Sequence, residues 1–286
     1  MDKELHEKMK QFIDNMPSLP TTVFRVIEIC DNPRTSPMDL NKVISLDPVL
    51  TARVLKLINT AYCGMNQQTM NLARAITMLG FNTVKNLVLS SAMSRTFSKD
   101  TYKNHFDMKA FWQHSLSVGV TAKLLAKKRG VDQKQWANYF CVGFLHDIGK
   151  LPFSALFAED YMNAITTAEQ ERHSLFHIED RLFTMDHCYA GQVIADLWKL
   201  DGELRDTIAC HHNYSDYNGP HKDKLFTVVA ANNYVILSKM GFSGDTYPVE
   251  VEPMVLEELK ISQDIFLALK KEILIEIEKA QVFLRI

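Results

Sequence analysis

Apolar residues recur along this chain at three- and four-residue steps, the spacing of one buried helical face. Val23, Val26, Ile27 and Cys30 form the first such stripe. After DNPRTSP, a polar loop with two prolines, Leu40, Val43 and Ile44 form a second. Asp47 followed by Pro48 reads as an N-cap and a first helical residue, and Leu50, Val54, Leu57 and Ile58 continue the stripe beyond it. Leu72, Ala75, Ile76 and Leu79 make another, closed by Gly80. At residues 98–108 the composition turns polar, SKDTYKNHFDM, which predicts a boundary between two packed lobes at about 17–105 and 106–240.

The second lobe opens with FWQHSLSVGVTAKLLAKKRG, an expected amphipathic helix ending at Gly130, with His114, Val118, Thr121 and Leu125 on one face. The next helix carries Trp136, Phe140 and Phe144 into His146-Asp147, with Gly149 and Pro152 as its expected stop. Asp186 reads as the N-cap of a helix aligning His187, Gly191, Ile194 and Trp198, and a further helix runs from about Glu203 to His211-His212. FTVVAANNYVILSKMG is apolar all round and is expected at the centre of the lobe. Residues 241–286 read as a loop and a last amphipathic helix carrying Phe266, Leu269, Ile273, Ile277 and Ala280, packed on the second lobe.

Composition agrees with an all-α, two-lobe helical bundle. The 286 residues include only 11 Gly and 9 Pro, sparse for an all-β chain full of tight turns, and 47% are hydrophobic, enough for a large core. Five cysteines, at 30, 63, 141, 188 and 210, form no C-x-x-C pair and read as reduced buried thiols. The charged start MDKELHEKMKQF lacks the apolar core of a secretory signal, and the longest apolar run, residues 225–237, is too short to cross a bilayer. A cytoplasmic protein with no membrane partner is expected. Charge is nearly balanced, slightly positive in the first lobe and slightly negative in the second, without the clustered basic face that nucleic-acid binding needs.

The candidate chemistry lies in the second lobe. His114, His146 with Asp147, His187, and His211-His212 each sit on an apolar helical face or at a helix end, about one helix-loop-helix apart, so they can converge. A lone histidine on an apolar stripe is usually a core residue with satisfied nitrogens, but this many groups, with H-D-I-G-K among them, point to one shared site. Imidazoles with a carboxylate suit Mn²⁺, Fe²⁺, Zn²⁺ or Ni²⁺, and such ions assist phosphoester hydrolysis. Lys150, one turn beyond His146, is expected to meet an anionic phosphate.

With these motifs the second lobe resembles the HD superfamily of metal-dependent phosphohydrolases and its HD-GYP phosphodiesterase branch. The chain from about 17 to 240 resembles the HDOD family of bacterial signalling output domains. MPSLPTTVFRVIEICDNP, VISLDPVLTARVLKLINTAYCG and ARAITMLGFNTVKNLVLSSAM match that family's first-half motifs, and FLHDIGKLPF, DHCYAGQVIADLW and IACHH follow in register. The resemblance implies ligand positions at His114, His146, Asp147, His187, His211 and His212. At the last position the usual Asp is Asn232, a neutral amide, so metal affinity is expected to fall. The loop HHNYSDYNGPH lacks the Glu after His-His and the Gly-Tyr-Pro element of the phosphodiesterases, which argues against cyclic-dinucleotide hydrolysis.

Three functional readings stay open on this basis. In the first, the chain is a signal-transduction module with a degenerate site, acting by binding signalling proteins in trans or a nucleotide ligand, with Asn59, Tyr62 and Gly64 shaping a groove between the lobes. In the second, it is a metal-dependent phosphohydrolase using the six ligand positions, with Lys150 on phosphate. A purely structural role for an empty site is a third.

Overall fold

The structure is a computed structural model and describes residues 2–16, 19–48, 50–52, 54–55, 71–96, 106–248, 250–262 and 264–280. Among these, every regular element is helical. Leu57, Ile58, the groove residues Asn59, Tyr62 and Gly64, and most of the polar boundary lie outside the described residues.

The first lobe is built from α2 (Thr21–Asp31), α3 (Pro37–Ser45), α4 (Leu72–Leu79) and α5 (Phe81–Thr96). Ser36 and Asp39 form a capping box that starts α3, and Asp47 accepts from the Leu50 N–H at 2.9 Å, as its reading as an N-cap requires. Helix α4 ends at Gly80 with φ of 80°. Val23, Val26, Leu40, Ile44 and Ile76 are buried between these short helices, none of which has a core of its own.

Helix α5 joins the lobes by packing against α7 (Trp136–Leu145). Around α7 lie α6 (Met108–Lys128), α8 (Lys150–Leu156), α9 (Ala158–Glu171), α10 (Leu175–Phe183), α11 (His187–Leu197), α12 (Gly202–Cys210), α13 (Lys222–Leu237), α14 (Pro253–Leu259) and α15 (Asp264–Ala280). Helix α13 is central, as its all-round apolar pattern predicts, and packs on α6, α7, α12 and α14. Helix α15 lies on α6 and buries Leu269, Ile273 and Ile277.

Two expectations are corrected, and one helix is added. Helix α6 is not amphipathic: α7, α13 and α15 surround it, so Ser115, Ser117 and Thr121 are buried with its apolar residues. Pro152 does not stop the preceding helix but sits in the first turn of α8, where a missing N–H leaves no bond unmade. The charged N-terminus forms α1 (Asp2–Asp14), whose Met9 and Ile13 are fully buried against the second lobe, on the side of α8 and α11. Burial of two such side chains is worth roughly 1.5–3 kcal/mol each, enough to hold a helix that is polar on average.

The end of α6 is tied to the C-terminal elements by Arg129. Its Nε donates to the Leu259 carbonyl (3.0 Å) and its Nη1 to Thr227 Oγ1 (3.0 Å), while Nη2 pairs with half-buried Asp223, which also accepts from the Tyr139 hydroxyl. Burial opposes the Asp223 charge, but Arg129 and Tyr139 outweigh it and hold the carboxyl below its usual value of 3.8. A carboxyl depressed in the fold stabilises it above its unfolded pKa, and that contribution is lost as pH falls through the folded value. Asp223→Asn should therefore melt below the parent at about pH 6, and the two curves should converge on acidification below about pH 4. Parallel melting curves across that range would contradict this.

Candidate metal centre

Close backbone contacts bring the histidine-bearing elements together. Gly119 of α6 and Gly143 of α7 meet at the helix crossing, where a Cβ on Gly143 would lie 2.9 Å from the Gly119 Cα. That crossing sets His114, on α6, opposite His146 and Asp147, which occupy the turn between α7 and α8. The turn then touches the start of α11: a Cβ on Gly149 would fall 1.9 Å from the His187 carbonyl oxygen. His187 is the first residue of α11, whose N-cap Asp186 accepts from the Tyr189 N–H at 2.8 Å. His211 and His212 follow the last residue of α12.

All six expected ligand positions converge. The donor atoms form two groups, His114, His146 and Asp147, and Asp147, His187, His211 and His212, with the atoms in each lying within 4.8 Å of one another. Asp147 belongs to both. Its Oδ2 faces His146 Nε2 at 3.4 Å and His114 Nε2 at 3.8 Å, and its Oδ1 faces His187 Nε2 and His211 Nε2, each at 3.4 Å. All but His212 are buried, and Asn232 lies beside the His211-His212 pair in the same cavity wall.

Hydrogen bonding on the far side of the rings fixes which nitrogen faces inward. His146 Nδ1 lies 2.7 Å from the Gly143 carbonyl, and His211 Nδ1 lies 3.1 Å from that of Ile208. A carbonyl only accepts, so each Nδ1 carries a proton and each Nε2 is the atom turned to the centre. His187 Nδ1 meets Glu179 Oε2 at 2.5 Å, the carboxylate–imidazole pairing that orients metal ligands. Glu179, on α10, is fully buried and also accepts from the Tyr161 hydroxyl at 2.7 Å. It went unread in the sequence, although it shares an apolar face with Leu175 and Phe183 at four-residue steps.

This arrangement fits a divalent ion. Nε2 of His114, His146 and His212, Oδ1 of Asp147 and Oδ1 of Asn232 are all buried without a hydrogen-bond partner among the described residues, and all can act as electron-pair donors. His187 Nε2 and His211 Nε2 lie 3.3 Å apart beside a carboxylate oxygen, a geometry that calls for a proton or a metal cation between them. Burial pushes His114 down to about 3, and it also lowers His146 and, with its cationic neighbours, His212, which keeps these rings neutral as ligands must be. His187 and His211 differ: burial opposes their charge, but the Glu179 carboxylate raises His187, and Cys188 with Asp147 raises His211 to about 9. Glu179→Gln should weaken Zn²⁺ affinity by about 10–100-fold in a chelator-competition titration, and unchanged affinity would contradict its orienting role.

Lys150, expected to meet a phosphate, is held inside the fold. Its Nζ lies 2.9 Å from Asp147 Oδ2, 2.9 Å from Asp245 Oδ2 and 3.4 Å from Ser243 Oγ, and the side chain is 1% exposed. The ammonium is balanced by two carboxylates inside the fold. With Lys150 on Oδ2, the Asp147 oxygen left for an ion is Oδ1, on the side of His187, His211 and His212.

A small cavity opens beside the His211-His212 pair. The cavity bordered by His211, His212, Asn232 and Asp245 has a volume of about 40 Å³. A groove of about 750 Å³ lies beside it, lined by Tyr234, Phe266, Tyr247 and Glu250 among others, and shares Asn233, Pro248 and Val251 with the cavity wall.

An all-helical fold with a buried histidine-aspartate centre of this order defines an HD-related protein. The chain belongs to the HDOD domain family, whose pattern matches residues 16–214. An uncharacterized protein of Treponema pallidum (strain Nichols) is 28% identical over 221 residues, which is 77% of this chain but only 42% of that protein. An HDOD domain protein of unknown function from Geobacter sulfurreducens superposes with a TM-score of 0.71 at 24% identity, covering 99% of this chain and 96% of its own. A protein of Marinobacter aquaeolei VT8, provisionally named for signal transduction, gives 0.73 at 20% identity and covers 99% of this chain and 65% of its own. One of Shewanella amazonensis SB2B, provisionally named a metal-dependent phosphohydrolase, gives 0.63 at 20% identity over 99% and 98%. At these identities the likeness is one of fold, and it extends over α1 and α15, beyond the matched family segment. None of the described helices is long and apolar enough to cross a membrane.

Proposed function

We propose that this chain is a regulatory module of bacterial signalling whose histidine centre holds a divalent ion without turning over a phosphoester. The observation that carries this reading is the small size of the cavity beside His211, His212 and Asn232. Substrate pockets usually measure about 300–1,000 Å³, whereas a water needs only about 10–15 Å³. A cavity of about 40 Å³ beside His211 and His212 accommodates water and an ion, and it has no room for a phosphoester. Asn232 in place of a carboxylate and Lys150 held between Asp147 and Asp245 support the same reading.

A divalent ion bound here would supply Lewis acidity and acidify its water ligand, which is the chemistry of the phosphohydrolase reading. The chain's own residues do the rest: His187, His211 and Asp147 would hold the ion, and Glu179 would orient His187. Signalling proteins in trans remain the favoured partners. A nucleotide does not fit the histidine cavity, and the neighbouring groove of about 750 Å³ is large enough for one.

The test is a screen of phosphomonoesters, cyclic nucleotides and cyclic dinucleotides with added Mn²⁺. The expected result is no turnover above that of the Asp147→Ala variant. Metal-dependent turnover abolished by both His146→Ala and Asp147→Ala would replace this reading with hydrolysis.

A further inference from the structure

We infer that Asp245 is a positioning residue of the histidine centre, which acts by neutralising Lys150 so that Asp147 keeps its charge for a cation. The inference rests on the reading of the centre as a cation site.

Lys150 is the sole ammonium in contact with Asp147 among the described residues, and its three acceptors, Asp147, Asp245 and Ser243, match its three donors. An uncompensated ammonium 2.9 Å from Asp147 Oδ2 would cancel most of that carboxylate's pull on a divalent ion. Asp245 supplies the compensating charge from the other side, also at 2.9 Å. Asp147, Glu179 and Asp245 are the carboxylates buried around the centre among the described residues, and with the histidines neutral, as ligands are, they leave two negative charges against the single ammonium, the complement of one divalent ion. With a neutral amide at position 232, that complement depends on Asp245.

The loop that carries Asp245 is held in register with the ligands. Gly241 has φ of 80° and lies against α6 so closely that a Cβ would be 2.3 Å from the His114 nitrogen. The Phe242 N–H donates to the Ala110 carbonyl at 3.1 Å. Asp245 Oδ1 accepts from the Leu175 N–H at 2.7 Å, at the start of the helix whose Glu179 orients His187. The loop thus touches the His114 side and the His187 side of the centre.

Mn²⁺ affinity, read from the loss of the free-ion EPR signal, tests this on the full chain as parent, Asp245→Asn, Lys150→Met and the double variant. Asp245→Asn should bind Mn²⁺ at least about ten-fold more weakly, because the exposed ammonium then opposes the ion. Removing that ammonium as well should return affinity to within about three-fold of the parent, a rescue that a purely structural role for the loop does not give. A double variant at least about ten-fold weaker than the parent would overturn the inference, including where Asp245→Asn alone fails to fold. Parent binding with Asp245→Asn unchanged would overturn the inference alone, whereas no Mn²⁺ uptake by the parent would overturn the cation-site reading together with it.

Discussion

Gly149→Ala should unfold this protein or lower its thermal midpoint by about 10 °C, from a loss of more than about 3 kcal/mol. The new methyl carbon would lie 1.9 Å from the His187 carbonyl oxygen and 2.5 Å from the Gly191 nitrogen. Both are backbone atoms at the start of α11, so no side chain can swing aside to make room. Relief requires the turn after α7 to move away from α11, which separates His146 and Asp147 from His187. The variant should therefore lose metal affinity together with stability. Thermal unfolding and soluble yield give the readout, and a midpoint within about 2 °C of the parent would show that the contact is looser than this geometry.

Lys150→Met should cost about 3–5 kcal/mol, the usual cost of removing one member of a buried charged group. Asp147 and Asp245 are 1% and 7% exposed, and without the ammonium their carboxylates face one another with little water to screen them. The stem of Met fills the volume of the lysine stem, so the loss is electrostatic and not a cavity effect. Adding Asp245→Asn should recover much of the loss by removing one of the opposed charges. Denaturant unfolding of both single variants and the double variant measures this coupling, and additive losses would mean that the three groups do not act as a unit.

Helices with a clean apolar stripe were legible in the sequence because a 3.6-residue period survives any tertiary arrangement. The stripes at Val23–Cys30, Leu40–Ile44 and Leu269–Ile277 all turned inward. The order of the histidines was legible for a related reason: each lies where an apolar face ends or turns inward, so burial could be expected without knowing the partners. Other features were hidden. Helix α1 carries Leu5, Met9, Phe12 and Ile13 at helical steps, but its charged residues masked the stripe. Glu179 was an acid on an apolar face and could have been noticed as a buried group in need of a partner. Asp245 could not, since an Asp in a glycine-rich loop is ordinarily solvated, and only the approach of Gly241 to His114 aims it at Lys150. Spacing places Lys150 near Asp147 and says nothing of a second carboxylate arriving from 95 residues away.

His187, His211 and Asp147, with His212 beside them, are expected to form a working cation site. The most direct measurement is metal content by elemental mass spectrometry on the chain purified without chelator or nickel resin, with Asp147→Ala alongside. Close to one equivalent of manganese, iron, nickel or zinc in the parent, lost in the variant, is the expected result. No bound metal in the parent, even after incubation with Mn²⁺, Fe²⁺ or Zn²⁺, would contradict it and leave the histidines as inherited scaffold.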